Sequence, residues 1–270
     1  MISIDIMIEV IIFIFGLCVG SFLNVVVCRS VKDESFSWNR SHCPECHHTL
    51  AAKDLVPILS FFANRRHCRY CEKPIAWHYL LTELFTGILF VVLFMSIDQG
   101  WSTGVSITIL DDARSFFSFL RDVFFVCLLI VFFLTDFRYY LIPDKIILPA
   151  VLLTFIMNLL SLKPASEMLF SGMVLASFFF IQFVVSRGRW VGGGDIRLGF
   201  LIGVMLGWPG SIDALLLSYV LGALVSVVLL LRKKKSWKSV VPYGTFLTTT
   251  AMMNILFGPV FLAWYLRILS

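Results

Sequence analysis

The sequence predicts an all-α polytopic membrane protein of about eight transmembrane helices, with a small zinc-stapled cytoplasmic domain between helices 1 and 2. Three observations lead there. Of the 270 residues, 59% are hydrophobic, 27 are Phe and only 14% are charged, which is about half the charged share of a soluble domain. Several apolar runs reach the ~20 residues that a helix needs to cross ~30 Å of hydrocarbon. One long polar stretch, residues 29–74, interrupts them and carries two Cys-x-x-Cys pairs.

The first apolar run, residues 6–28, has the position of a signal peptide. It carries Asp5 and Glu9 near its start, has no Lys or Arg before Arg29 and offers no small-residue cleavage site, so it reads as a retained helix. The later runs cover residues 75–97, 116–134, 142–162, 168–185, 196–208, 214–231 and 246–269. The run at 196–208 is short and by length alone suggests a buried or re-entrant piece.

Basic residues mark cytoplasmic loops. With the N-terminus outside, 18 of the 22 Lys and Arg fall on the inner side, including the 187–197 and 232–238 clusters. The chain then crosses twice between those clusters, and the short run is expected to span by extending into its Gly-rich flank. Both termini lie outside on this reading. The net charge of +5 therefore sorts by membrane side and calls for no nucleic-acid partner. The basic run at 232–235 reads as a topology signal that meets anionic lipid.

The 29–74 stretch is too small to build a firm core and needs a staple. Cys43, Cys46, Cys68 and Cys71 supply one, with 21 residues between the pairs. That gap is one more than the usual zinc spacing. Four soft sulfurs suit zinc and close its coordination shell, so the site is expected to be structural, and a reducing cytosol disfavours disulfides. His42, His47, His48 and His67 lie nearby and read as solvated loop residues. Cys18, Cys28 and Cys127 sit in apolar runs and read as packing.

Asp136 ends the third run and Asp195 opens the sixth, after Gly192-Gly193-Gly194. Acids beside hydrocarbon are costly and mark function. Two carboxylates brought together share a proton, one acting as base while the other donates. The glycines permit unusual backbone shapes or close approach. The competing structural role is helix capping, which suits Asp195 at a helix start and suits Asp136 at a helix end poorly. Asp144 follows Pro143 at a helix start and reads as structural. Glu83, about eight residues inside the second run, is a candidate by its depth. Gly16-x-x-x-Gly20 reads as a helix-packing face.

In order along the chain, these pieces resemble the type IV prepilin peptidases, the leader peptidase and N-methyltransferase family of Gly-x-Gly-Asp membrane aspartic proteases. The resemblance rests on Gly20-Ser-Phe-Leu-Asn24 through Arg29, the two cysteine pairs and Glu83-Leu-Phe-Thr-Gly87. It continues through Thr135-Asp136 to Pro143-Asp144, Gly192-Gly-Gly194-Asp195-Ile-Arg197 and Val241-Pro242-Tyr243-Gly244. It implies that Asp136 and Asp195 are catalytic, with Gly192, Gly194, Asp144, Glu83 and Arg197 in support. It also implies cleavage of prepilin or pseudopilin leaders at the cytoplasmic face of the bacterial inner membrane. Methylation of the new N-terminus by S-adenosylmethionine would follow.

By that resemblance the chain divides into a first helix (1–28), a methyltransferase-associated zinc domain (29–74) and a membrane peptidase domain (75–270). Arg197 stands where the family usually has Lys, and Gly244-Thr245 where it has Gly-Pro, a change expected to loosen a turn and leave the chemistry alone. No nucleoside-binding fingerprint is present, so the methyl-donor residues stay unassigned. The other readings are a peptidase without methylation, a proton-coupled transporter and a zinc-stapled scaffold. The second expects midplane acids in repeated halves, and the third leaves Gly-Gly-Gly-Asp unexplained.

Overall fold

The structure, a computed structural model, describes residues 2–32, 40–98, 113–232 and 241–269, side chains excepted at 2–5, 98 and 259–269. The basic residues at 233–238, counted as a topology signal, lie outside the described residues, as do residues 99–112. Eight long helices fall on the eight apolar runs: α1 (Ile2–Val31), α3 (Trp77–Asp98), α4 (Ala113–Tyr139), α5 (Asp144–Leu160), α6 (Ala165–Ser186), α7 (Gly193–Leu206), α8 (Gly210–Leu231) and α9 (Tyr243–Leu269). The polar stretch holds a 3₁₀ turn at Ala52–Asp54 and a short helix α2 (Leu59–Ala63). Among the described residues, five helices (α1, α3, α4, α6 and α8) are long and apolar enough to cross a membrane.

The chain separates into two compact units, residues 1–95 and 96–270. In the first, α1 and α3 meet on small residues. A Cβ added at Gly16 would lie 2.8 Å from the Cα of Gly87, and one at Gly20 would lie 2.8 Å from the Cα of Glu83. The Gly16-x-x-x-Gly20 face is thus the packing face that its spacing suggests. The Asn24 side chain adds a hydrogen bond from Nδ2 to the Tyr79 carbonyl at 3.1 Å.

The second unit is organised around α7, which packs against α5, α6, α8 and α9. Its crossing with α6 depends on glycine, since a Cβ at Gly203 would lie 2.5 Å from the Ser171 carbonyl oxygen and 2.6 Å from the Cα of Gly172. The outer faces of α6 and α8 are apolar and exposed, as at Ile181, Val185, Leu216 and Leu224. Only 17% of the most apolar window of α8 is buried, which suits a lipid-facing helix.

α7 is the shortest of the eight. It does begin inside the glycine flank, at Gly193, but it is only 14 residues long, roughly 21 Å at 1.5 Å per residue. Two features stop it. Gly207 adopts φ 72, and Asn158 of α5 donates from Nδ2 to the Val204 and Met205 carbonyls at 2.8 and 3.1 Å, satisfying acceptors that a helix C-terminus leaves unpaired. α5 is also short, at 17 residues, with Pro143 as its N-cap and Pro149 inside it.

Candidate active site and metal centre

The two cysteine pairs form matching hairpin turns. In the first, Cys43 N–H donates to the His48 carbonyl at 3.0 Å and His47 N–H to the Cys43 carbonyl at 2.9 Å. In the second, Cys68 N–H donates to the Lys73 carbonyl at 2.8 Å and Glu72 N–H to the Cys68 carbonyl at 2.9 Å. His47 and Glu72, the residues directly after each pair, both turn through the left-handed region, at φ 57 and 56. Lys73 bonds Glu45 and so ties one hairpin to the other.

The four sulfurs lie within 4.8 Å of one another, and Cys43 Sγ is 3.9 Å from Cys71 Sγ. That is too long for a ~2.05 Å disulfide and close to the roughly 3.8 Å edge of a tetrahedron with Zn–S bonds of about 2.3 Å. The cluster is positioned to bind a metal. None of the four nearby histidines belongs to it. Burial pushes the Cys68 thiol up, but hydrogen bonds from the Tyr70 and Cys71 backbone and from the neighbouring thiols outweigh it and bring it down to about 7.

In the second unit both acids accept helix-start amides. Asp195 is in the first turn of α7, and its Oδ2 accepts the Gly192 N–H at 3.0 Å, so the capping role considered for it is realised. Asp136, buried near the end of α4, does the same for a different helix. Its Oδ2 accepts the Thr245 N–H at 2.8 Å, in the first turn of α9, where amides lack intrahelical partners and the helix dipole is positive.

The two acids are neighbours. Asp195 is near enough to act on Asp136 through its charge, and Leu198, one turn beyond Asp195, meets Asp136 at Gly244. A Cβ there would lie 2.8 Å from Asp136 Oδ2 and 3.2 Å from Leu198 Cδ2. Tyr243 closes one flank, its hydroxyl bonded to that of Ser218 and its ring 5.1 Å from that of Tyr219.

The supporting residues are placed unequally. Arg197 Nη1 pairs with Asp144 Oδ1, joining the first turns of α5 and α7. Gly192, Gly193 and Gly194 do not use left-handed backbone; among the described glycines only Gly188 and Gly207 do. Close approach accounts for Gly194, where a Cβ would lie 3.1 Å from that of Ile142, while one at Gly193 would meet nothing within 4 Å. Glu83 belongs to the first unit. It is half-buried in the second turn of α3 and accepts the Ile58 N–H at 2.9 Å, at a backbone strained to φ 61.

Residues 14–97 match the bacterial peptidase A24 N-terminal domain and residues 123–227 match the type IV leader peptidase family. The chain is 30% identical over 261 residues to a prepilin leader peptidase/N-methyltransferase of Bacillus subtilis, covering 95% of this chain and 97% of that one. It belongs to the type IV leader peptidase family. A relative of the same name in Aeromonas hydrophila is 28% identical, covering 94% of this chain and 92% of that one. Another in Myxococcus xanthus is 31% identical over 82% of this chain and 63% of its own length. No solved structure matches the chain.

With five described helices long and apolar enough to cross a membrane, this chain is a multi-pass membrane protein, and the two departures from the family pattern noted in the sequence both lie at the acids. Arg197 is the Asp144 partner. Thr245, where proline is usual, supplies the N–H on Asp136, which proline could not do. Sequence reasoning missed Gly244 and Thr245 as parts of the site; the signal was Pro242, which announces a helix start carrying free amides.

Proposed function

We propose that this leader peptidase cleaves the leader of type IV prepilins or pseudopilins with Asp136 and Asp195 as its aspartic pair, then methylates the new N-terminal amine with S-adenosylmethionine. The observation that carries the first half is that Asp195 lies near enough to act on Asp136 through its charge, with each carboxylate accepting a helix-start amide. One carboxylate, ionised, takes a proton from water as the water oxygen attacks the scissile carbonyl. The other, protonated, gives its proton to the carbonyl oxygen, and the transfers reverse as the leaving amine departs. The helix-start amides stabilise whichever carboxylate is charged, and a Cβ at Gly193 would meet nothing within 4 Å, so the backbone two residues before Asp195 is open to an approaching group.

The positive-inside charge pattern supports eight crossings of the bacterial inner membrane, with both termini outside and the acids and cysteine hairpins facing the cytoplasm. In the metal site, Cys43, Cys46, Cys68 and Cys71 would hold a structural zinc ion, their tetrahedral spacing matching that metal. The zinc would brace the 29–74 domain that we associate with methylation. Peptidase chemistry belongs to residues 75–270. The acids' position at helix borders, not at a bilayer midplane, argues against a proton-coupled transporter.

Co-expression with a candidate prepilin, followed by mass measurement of its new N-terminus, tests both activities at once. Asp136→Asn and Asp195→Asn are each expected to lower cleavage by roughly 10²–10⁴-fold while the protein still accumulates. Normal processing by either stable variant would sink the pair.

A further inference from the structure

The first unit contains a cavity of about 410 Å³, lined by the last turns of α1, the first turns of α3 and the cysteine hairpins. It falls within the roughly 300–1,000 Å³ of small-molecule sites, and no role assigned above uses it. Its wall carries both signs of charge, with Arg29 and Lys32 from α1 and Glu83 from α3. Aromatic side chains, Phe61 and Tyr79 among them, line it too.

Asn24 is the telling residue. It is 4% exposed and lines the cavity. Its Nδ2 donates to the Tyr79 carbonyl, an atom that can only accept, so the orientation of the amide is fixed by chemistry. The Oδ1 that remains is buried with no hydrogen-bond partner among the described residues. Buried acceptors are rarely left so unless a missing ligand or water completes them. Glu83 does not fill the gap, because its carboxylate accepts from the Ile58 amide and the Ser21 hydroxyl.

We propose that this cavity binds the methyl donor, a nucleoside sulfonium of the S-adenosylmethionine type. This rests on the methyl-transfer half of the function proposed above. An anion alone would have no use for Glu83 or for the unpartnered Asn24 oxygen. An aliphatic ligand would have no use for the charges. A nucleoside sulfonium with an amino-acid tail uses all of them: its carboxylate suits Arg29 and Lys32, its cationic centres suit Glu83, its N–H or O–H donors suit Asn24, and its purine suits the aromatic faces.

Location agrees with this. The cavity sits where two apolar helices emerge into the polar hairpin domain, so the freshly exposed end of a membrane-embedded pilin helix can reach it. There the neutral amine attacks the donor methyl carbon. The N–C bond forms, the C–S bond breaks with its electron pair passing to sulfur to leave a neutral thioether, and the resulting ammonium loses a proton to water.

The test uses detergent-purified full-length protein and tritiated S-adenosylmethionine. Wild type is expected to bind one donor per chain, and Asn24→Leu in α1 and Glu83→Gln in α3 to bind at least tenfold more weakly. A second measurement needs no variant. S-adenosylhomocysteine is expected to slow maleimide labelling of Cys28, which lines the cavity, as read by peptide mass spectrometry, whereas inorganic phosphate is not. Wild-type affinity in both variants, unchanged Cys28 labelling with donor bound, or equal protection by phosphate would each overturn the site. If that happened in protein that still methylates pilin, the proposed function would survive. A wild type that cleaves prepilin but neither binds donor nor methylates would overturn the methyl-transfer reading and this site together.

Discussion

A methyl group added at Gly244 would sit 2.8 Å from one carboxylate oxygen of Asp136 and 3.1 Å from its carbon, with Leu198 behind it. Neither neighbour can retreat far, because Asp136 is buried and held by the Thr245 amide. Gly244→Ala is therefore expected to cut leader cleavage at least tenfold while leaving membrane accumulation within about twofold, since one displaced contact costs on the order of 1–3 kcal/mol. Thr245→Pro tests the amide itself. Proline is tolerated in a first helical turn, yet it removes an N–H that bonds a carboxylate, an interaction worth about 1.5–3 kcal/mol. Cleavage by that variant is expected to fall about tenfold or more, measured as leader-bearing against processed pilin. Asp136 and Asp195 are legible in the sequence because acids bordering hydrocarbon are conspicuous. The Thr245 contribution is not, because a main-chain amide has no side-chain signature and its partner is 109 residues away.

The helix α7 shows what hydropathy can and cannot deliver. Its apolar run marks a helix, but its length is set by Gly207 and by Asn158 reaching over from α5. Its burial is set by the tight crossing with α6 at Gly203 and Gly172. No local pattern announces those long-range partners. Gly203→Leu is expected to abolish accumulation of folded protein, or to lower its melting temperature in detergent by several degrees. Gly193→Ala, whose new methyl meets nothing within 4 Å, is expected to match wild type in the same assay. The cysteine hairpins are the opposite case, fully announced by their spacing. Because metal-bound thiols must be deprotonated, zinc affinity is expected to fall as pH falls, and more steeply below about pH 7, where Cys68 itself protonates. Competition with a chromophoric chelator across pH 6–8 would measure the change in slope.

For the molecule as a whole, the two compact units assign the metal hairpins to the first and the aspartic pair to the second. Damage to the hairpins therefore acts through the folding of the first unit. Joint substitution of Cys68 and Cys71 by Ser is expected to lower methylation of mature pilin more than its cleavage. Mass spectrometry separates leader-bearing, cleaved and cleaved-methylated forms. Cleavage falling first, with every cleaved molecule still methylated, would make the hairpins part of the substrate grip.

The bond from Asp136 to Thr245 also has a bearing on biogenesis. A nascent chain inserted through α8 already contains both acids, but it has made neither Thr245 nor Gly244, so Asp136 has no helix start to settle on. On the proposed mechanism, a chain truncated after residue 242 is therefore expected to cleave prepilin at least tenfold more slowly than the full chain, so that activity awaits the final helix.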